Sequence, residues 1–370
     1  MSERVFLYSD EYQRYDMGAD HPLRPSRLVN TYRLLSAYSA FDGVVVAHPK
    51  PCSLDWLGTA HSQEYIDAVD RLSTGEHVPF PGRYGFGHGD NPVFPDMYEA
   101  SLLYTGASLD AAEAICSGEA RASFNISGGL HHAHFDRAAG FCVFNDCVVA
   151  INRLRERFDR VAYIDIDVHH GDGVQEAYYS DPSVLTISIH ESGQTLFPGT
   201  GFVKEIGEGG GAGYSVNLPL WPYTDDEAWY YAWSTGAMPI LRAFRPEAIC
   251  LECGTDPHYL DPLARLCLTA QGWLKAIDDV MSIGVPVVAL GGGGYNATTV
   301  PRMWALAYGS IFGVQLADET PTAFEHHAKI PTLRDTEEPE IAMHDRDYAR
   351  GYARQMIEEV RSRLFSYHGL

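Results

Sequence analysis

The chain has 370 residues, of which 45% are hydrophobic, 21% charged and 12% aromatic. These are the proportions of a globular protein with a large core; they exclude disorder, collagen-like order and any need for disulfide or metal staples. Asp and Glu number 49 against 27 Lys and Arg, a formal net charge of −22, which repels nucleic acid and anionic membranes and favours cationic partners such as lysine-rich segments or polyamines.

In chain order, hydrophobic periodicity predicts a strand at 4–8, a helix at 27–38, a strand at 43–48, and helices at 63–72 and 95–116. A strand at 123–126, a helix at 146–158 and strands at 161–168, 184–190 and 214–220 follow. The remainder reads as a helix at 225–244, a strand at 248–252, a helix at 269–283, a strand at 285–290, and helices at 299–312 and 342–364. Near-continuous apolar runs such as Val-Pro-Val-Val-Ala-Leu suit strands buried on both faces of a parallel sheet. Alternating strands and helices imply right-handed crossovers and one doubly wound, mainly parallel, eight-stranded α/β domain spanning 1–370. The Pro- and acid-rich stretch 318–340 reads as a surface excursion. No uncharged apolar run approaches the ~18–20 residues that span a bilayer. The mixed charges of the opening residues do not fit a targeting peptide, and seven scattered cysteines fit a reducing cytoplasm.

In such a sheet, ligands bind beyond the carboxyl ends of the strands. The run Asp165-Ile166-Asp167-Val168-His169 stands there. Residues two apart share a strand face, so Asp165, Asp167 and His169 are expected to point one way. No Lys or Arg lies in the run to pair the acids, and carboxylate plus imidazole suits a divalent cation. Asp256, after strand 248–252, is a candidate third ligand or a turn cap. The nearby Cys250 and Cys253 lack a second pair at zinc-finger spacing and read as core thiols. His131 and His132 follow a glycine pair after strand 123–126 and are candidate acid/base groups. His326 and His327, also tandem, read as a solvated loop. Tyr295 follows four glycines after strand 285–290; no Gly-Lys-Ser/Thr makes this a phosphate loop. A phenol at that edge either packs or donates to an oxyanion.

Together these motifs resemble the zinc-dependent histone deacetylases, in particular the bacterial acetoin-utilisation branch. The resemblance runs from Asp20-His21-Pro22-Leu23-Arg24-Pro25 through His61-Ser62-Gln63-Glu64-Tyr65, Gly128-Gly129-Leu130-His131-His132-Ala133 and Gly140-Phe141-Cys142-Val143-Phe144-Asn145-Asp146. It continues through Asp165–Val174, Phe197-Pro198-Gly199-Thr200-Gly201, Cys253-Gly254-Thr255-Asp256 and Gly291–Tyr295. It implies an arginase/deacetylase-like fold and a zinc-activated water that removes acetyl or other acyl groups from lysine side chains in proteins. It implies zinc on Asp167, His169 and Asp256, with Fe2+ as the alternative metal. His131 and His132 become the acid/base pair, backed by Asp165 and Asp172, and Tyr295 the transition-state tyrosine. Gly140, Phe141 and Phe197 match the acyl-lysine tunnel, Leu263 its rim, and Asp90 the acid that holds the substrate backbone; the loop around Asp90 departs from the eukaryotic Tyr-Asp form. An inner potassium site falls on Asp165, Asp167, His169, Ser188 and Ile189. An outer one falls on Tyr178, Asp181, Val184 and Tyr214.

The implied partner is an acetylated protein, with an acyl-CoA-synthetase-type metabolic enzyme as one candidate, met in the cytoplasm and away from nucleic acid and membranes. An acetylpolyamine amidohydrolase is the alternative within the same fold. A non-catalytic acetyl-lysine reader would be expected to lack a ligand or the Tyr, and an arginase-like binuclear hydrolase would need more Asp/His ligands.

Overall fold

The computed structural model describes residues 4–87 and 89–370. Met1–Glu3, part of the opening segment, and His88, in the loop before Asp90, lie outside the described residues. Eight strands are found among those described: β1 (Arg4–Leu7), β2 (Val45–Ala47), β3 (Ala122–Asn125), β4 (Val161–Asp165), β5 (Val184–Glu191), β6 (Ser215–Leu220), β7 (Ala248–Glu252) and β8 (Val287–Leu290). Each matches an expected strand. They form one sheet in the order β2-β1-β3-β8-β7-β4-β5-β6, with every neighbouring pair parallel.

Every residue of β3 to β8 is buried, as expected for parallel strands covered on both faces. The edge strand β2 is three residues long and partly exposed, which limits the unpaired edge it offers. The helices are α1 (Ser26–Ala37), α2 (Leu54–Leu57), α3 (Gln63–Ser73), α4 (Met97–Cys116), α5 (Asp146–Arg155), α6 (Asp172–Tyr178), α7 (Asp226–Ala232), α8 (Met238–Phe244), α9 (Ala270–Ser282), α10 (Thr299–Phe312) and α11 (Met343–Leu364). Helix α4 packs on β3 and against α5, while α10 packs on β3 with α1 and α9 beside it. Ala107, Ala111 and Ala112 of α4 have no exposed surface, and side chains that small let neighbouring elements approach closely. Helix α11 covers the edge strand β6. No helix among the described residues is long and apolar enough to cross a membrane.

Four local differences from the sequence expectation have physical causes. The expected strand 161–168 ends at Asp165, so a loop rather than a strand face delivers Asp167 and His169. The expected helix 225–244 is interrupted by a π turn at Trp233–Ala237. There Pro239 has no N–H to continue the i→i−4 ladder, and the Met238 N–H reaches back to the Trp233 carbonyl. The stretch 318–340 is irregular but firmly docked. Phe324, Ile330 and Leu333 are buried, and Asp335 meets both Arg302 and, at 3.0 Å, His258. Helix α6 had no sequence signal, because its Gly-Asp-Gly start reads as a turn.

The site follows from strand order. Strands β3, β8, β7 and β4 are consecutive in the sheet, yet β7 and β8 come late in the chain. They fill the gap left between β3 and β4, and the loops after all four converge where the winding changes direction.

Candidate active site

The loop after β3 carries the tandem histidines and is held by the next helix. Asn145 caps α5, accepting from the Val148 N–H, and its amide donates to the carbonyls of His131 and Ala133. Buried Asp146 accepts the N–H groups of Gly129 at 2.9 Å and Leu130 at 2.8 Å, and the Ser108 hydroxyl at 2.6 Å. His131 and His132 are thereby buried side by side, with their Nε2 atoms 3.0 Å apart. Each Nδ1 meets a carboxylate, His131 at Asp165 (2.8 Å) and His132 at Asp172 (2.7 Å). Two facing Nε2 atoms at that distance need one donor and one acceptor. The electrostatics select which. Burial opposes charge on both rings, but Asp165 and Asp167 raise His131 to about 9. Burial and the neighbouring His131 lower His132 to about 4. The two shifts run in opposite directions, favouring the proton on His131 over His132.

The loops after β4 and β7 bring Asp167, His169 and Asp256 together. His169 Nδ1 lies 3.0 Å from Asp167 Oδ1 and 3.1 Å from Asp256 Oδ2. One ligand atom from each of the three falls within 4.8 Å of the others, all three residues buried. Ligands ~2.0–2.2 Å from a single ion are separated by comparable distances. Burial, with Asp167 beside it, pushes Asp256 up to about 6, so the pocket resists holding both negative charges unaided. Two carboxylates and an imidazole converging on one point fit a divalent cation.

The four-glycine run after β8 passes against this cluster. A Cβ on Gly293 would collide with the carboxylates of Asp256 and Asp167, so only glycine lets the chain pass to Tyr295. The Tyr295 ring stands edge-on to His169 at 6.4 Å and to Phe141 at 5.7 Å. Phe197 flanks His132 at 5.0 Å and is 42% exposed, so it faces both the site and solvent. Gly140, at φ +51, has no room for a Cβ beside the His132 ring. Phe141 is itself left-handed, at φ 68. Two hydrogen bonds hold it there: its N–H donates to Asn91 Oδ1 at 2.9 Å, and its carbonyl accepts the Tyr15 hydroxyl at 2.7 Å. The Leu263 N–H donates to Asp261 at 2.9 Å. Asp90 is exposed, with its carbonyl 3.2 Å from His21 Nε2.

Ser188 pairs with Asp165 in register, and Ile189 follows it on β5, the strand beside β4. Tyr178, Asp181, Val184 and Tyr214 gather elsewhere, around the start of β5. There the Asp181 carbonyl accepts the Val184 N–H and the Tyr214 carbonyl that of Thr186, while the Arg155 guanidinium stacks on Tyr178 and pairs with Asp181. Cys250 and Cys253 are buried free thiols, as expected.

Three buried carboxyls around the site had no role assigned from the sequence, although Asp146 closes one of its motifs. Asp146 organises the histidine loop. Asp261 supports Leu263 and Tyr295. Glu252 ends β7 beside Asp165; its Oε2 accepts the Gly254 N–H at 3.0 Å, and burial with Asp165 nearby raises its carboxyl well above the usual range. An acid closing an otherwise apolar strand was the available clue for Glu252.

A family model, the histone deacetylase domain, matches residues 21–311. The chain is 40% identical over 329 residues to the acetoin utilization protein AcuC of Bacillus subtilis (strain 168), covering 87% of this chain and 85% of that protein. It is 37% identical over 318 residues to histone deacetylase clr6 of Schizosaccharomyces pombe (strain 972), covering 85% and 78%. A crystal structure of a histone deacetylase homolog from Aquifex aeolicus superposes with a TM-score of 0.83 at 31% identity, covering 95% of this chain and all of that one. The sheet with its flanking helices is thus the arginase/deacetylase fold, the family implies a divalent-metal site, which the buried Asp167, His169 and Asp256 could hold, and the chain belongs to the histone deacetylase family, as an AcuC-type, metal-dependent deacetylase.

Proposed function

We propose that this protein hydrolyses acetyl-lysine in protein segments, with zinc, or Fe2+ in its place, bound by Asp167, His169 and Asp256. The observation that carries this reading is the meeting of that buried ligand set with the two adjacent histidines and a tyrosine at one point. A divalent cation there supplies a Lewis acid that polarises an acetyl carbonyl and lowers the pKa of water.

The chain's own groups do the rest. His132, backed by Asp172, takes a proton from the attacking water through Nε2, which gives up its contact with His131 Nε2 to do so. His131, backed by Asp165, delivers a proton to the lysine Nζ as the C–N bond breaks. The Tyr295 hydroxyl donates to the oxyanion that develops on the former carbonyl. Gly140, Phe141 and Phe197 enclose the apolar lysine stem, Leu263 borders the entrance, and exposed Asp90 accepts from the substrate backbone. The inner set, Asp165, Asp167, His169, Ser188 and Ile189, would hold a potassium ion, whose charge would offset the buried carboxylates. At the outer set, Tyr178, Asp181, Val184 and Tyr214, a bound potassium has the Arg155 charge beside it. We assign the whole of 1–370 to one catalytic domain, acting in the cytoplasm on an acetylated protein such as an acyl-CoA-synthetase-type enzyme.

The deciding experiment compares turnover of acetyl-lysine peptides and of acetylpolyamines by the metal-loaded protein, with and without chelator, and adds a hydroxamate. Peptide cleavage that chelator and hydroxamate both abolish is expected. Cleavage of acetylpolyamines alone would assign the free-polyamine substrate instead, and activity surviving thorough metal removal would overturn the ligand assignment. Asp167→Ala is expected to bind well under one equivalent of metal while staying folded.

A further inference from the structure

His134 lies two residues beyond His132 on the same loop, and its side chain is 7% exposed. Its Nδ1 is 2.5 Å from Glu176 Oε2, and its Nε2 is 3.3 Å from Asp172 Oδ2. The other oxygen of that aspartate, Oδ1, is the one that meets His132 at 2.7 Å. Asp172 therefore stands between two imidazoles, with one oxygen turned to each. The loop fixes His134 from behind, since its N–H donates to the Arg137 carbonyl at 2.9 Å.

We propose that His134 is a positioning residue for deacetylation: it clamps the free oxygen of Asp172 and so fixes the carboxylate that aims the His132 ring. The inference rests on the reading of His132 as the base. Asp172 opens α6, where its carboxylate torsion is broad and two-fold by nature. A single hydrogen bond to His132 leaves rotation about that torsion open, and a second partner on the opposite oxygen closes it. Glu176, one helical turn further along α6 and on the same face, holds His134 in turn. The charged and titratable groups around His134 are Asp172 and Glu176 from α6, His132 and Arg137 from its own loop, and His61 from the segment before α3. Burial works against a charge on His134, but the two acids outweigh it and raise it to about 9. The clamp is thus an ion pair across the neutral range, and its strength does not depend on a single neutral hydrogen bond.

The test is a double-mutant cycle on the metal-loaded full chain with an acetyl-lysine peptide. His134→Ala is expected to lower kcat on the order of tenfold, the scale of losing a partner that orients a working imidazole, while KM moves little. In an Asp172→Asn background the same substitution is expected to cost nothing further, because His134 acts only through that carboxylate. His134→Lys, which returns a cation near both acids, is expected to recover most of the loss; it also serves if the Ala variant fails to fold. The low-field proton resonance of the His132–Asp172 hydrogen bond is expected to shift or broaden in His134→Ala. A peptide left intact by the parent overturns the catalytic reading and the inference together. A working parent beside a His134→Ala variant with unchanged kcat and unchanged resonance, or a loss that persists in the Asp172→Asn background, overturns the inference alone.

Discussion

The buried carboxylate of Asp261 accepts the backbone N–H of Tyr295 at 2.8 Å. Its other oxygen takes the Leu263 N–H at 2.9 Å, so one acid fixes the backbone at both Tyr295 and Leu263. Asp261→Ala frees both backbones. Turnover is expected to fall by roughly a hundredfold, the scale seen when a reacting group is misplaced by about 1 Å, with little change in metal content. Metal analysis alongside steady-state kinetics checks this; normal turnover would mean that the glycine run alone positions Tyr295.

Tyr295→Phe removes one donor and keeps the packing against Phe141 and His169. Losing one oxyanion donor typically costs about a hundred- to a thousandfold in turnover. Peptide binding should change far less, because the hydroxyl acts mainly on charge that develops in the transition state. A variant within about threefold of the parent, on that same scale, would make Tyr295 a packing residue.

Asn91 holds Phe141 in its left-handed conformation through one hydrogen bond at 2.9 Å and ties the loop to the Gly85 carbonyl at 3.3 Å. A strained backbone persists only while its surroundings over-determine it. Asn91→Ala should therefore loosen the tunnel wall and raise KM for an acetyl-lysine peptide several-fold, with kcat nearly kept, since no reacting group moves. A fall in kcat at constant KM would contradict a wall-positioning role.

His61 is buried, and its Nε2 accepts the Asn145 N–H at 2.8 Å, a bond open only to the neutral ring. Burial lowers it from 6.5 to about 4. Between those values the unfolded chain binds the proton and the folded chain does not. The stabilisation is complete above pH 6.5 and is lost as pH falls toward 4, by roughly 1.4 kcal/mol per pH unit within the window. His61→Gln keeps an acceptor that does not titrate there. Denaturation measured from pH 4 to 7 is expected to give a shallower slope for His61→Gln than for the parent; parallel slopes would show that His61 does not carry the effect.

Composition, periodicity and motif order by themselves determined the architecture and most of the site. Strands such as β8 and β4 were legible because strands buried on both faces are apolar along most of their length, as Val287–Leu290 and Val161–Ile164 are. That Asp167, His169 and Asp256 gather near the histidine pair at the strand ends was legible, because acids and imidazoles are costly just past such strands unless they have work to do. What only the tertiary structure decided is which groups share a partner. Asp172 is 38 residues from His134 and 40 from His132, and neither spacing announces that one carboxylate serves both. Glu252 and Asp261 draw their roles from residues brought beside them by the insertion of β7 and β8 between β3 and β4, and Asn91 from the Phe141 loop 50 residues on. The protonation of His131 against that of His132 was likewise unreadable. The two are adjacent in sequence and alike in chemistry, and only the distances to Asp165, Asp167 and each other push their pKa values apart. Local sequence specifies which segments are buried, whereas electrostatic energies depend on separations in space, and the fold alone sets those.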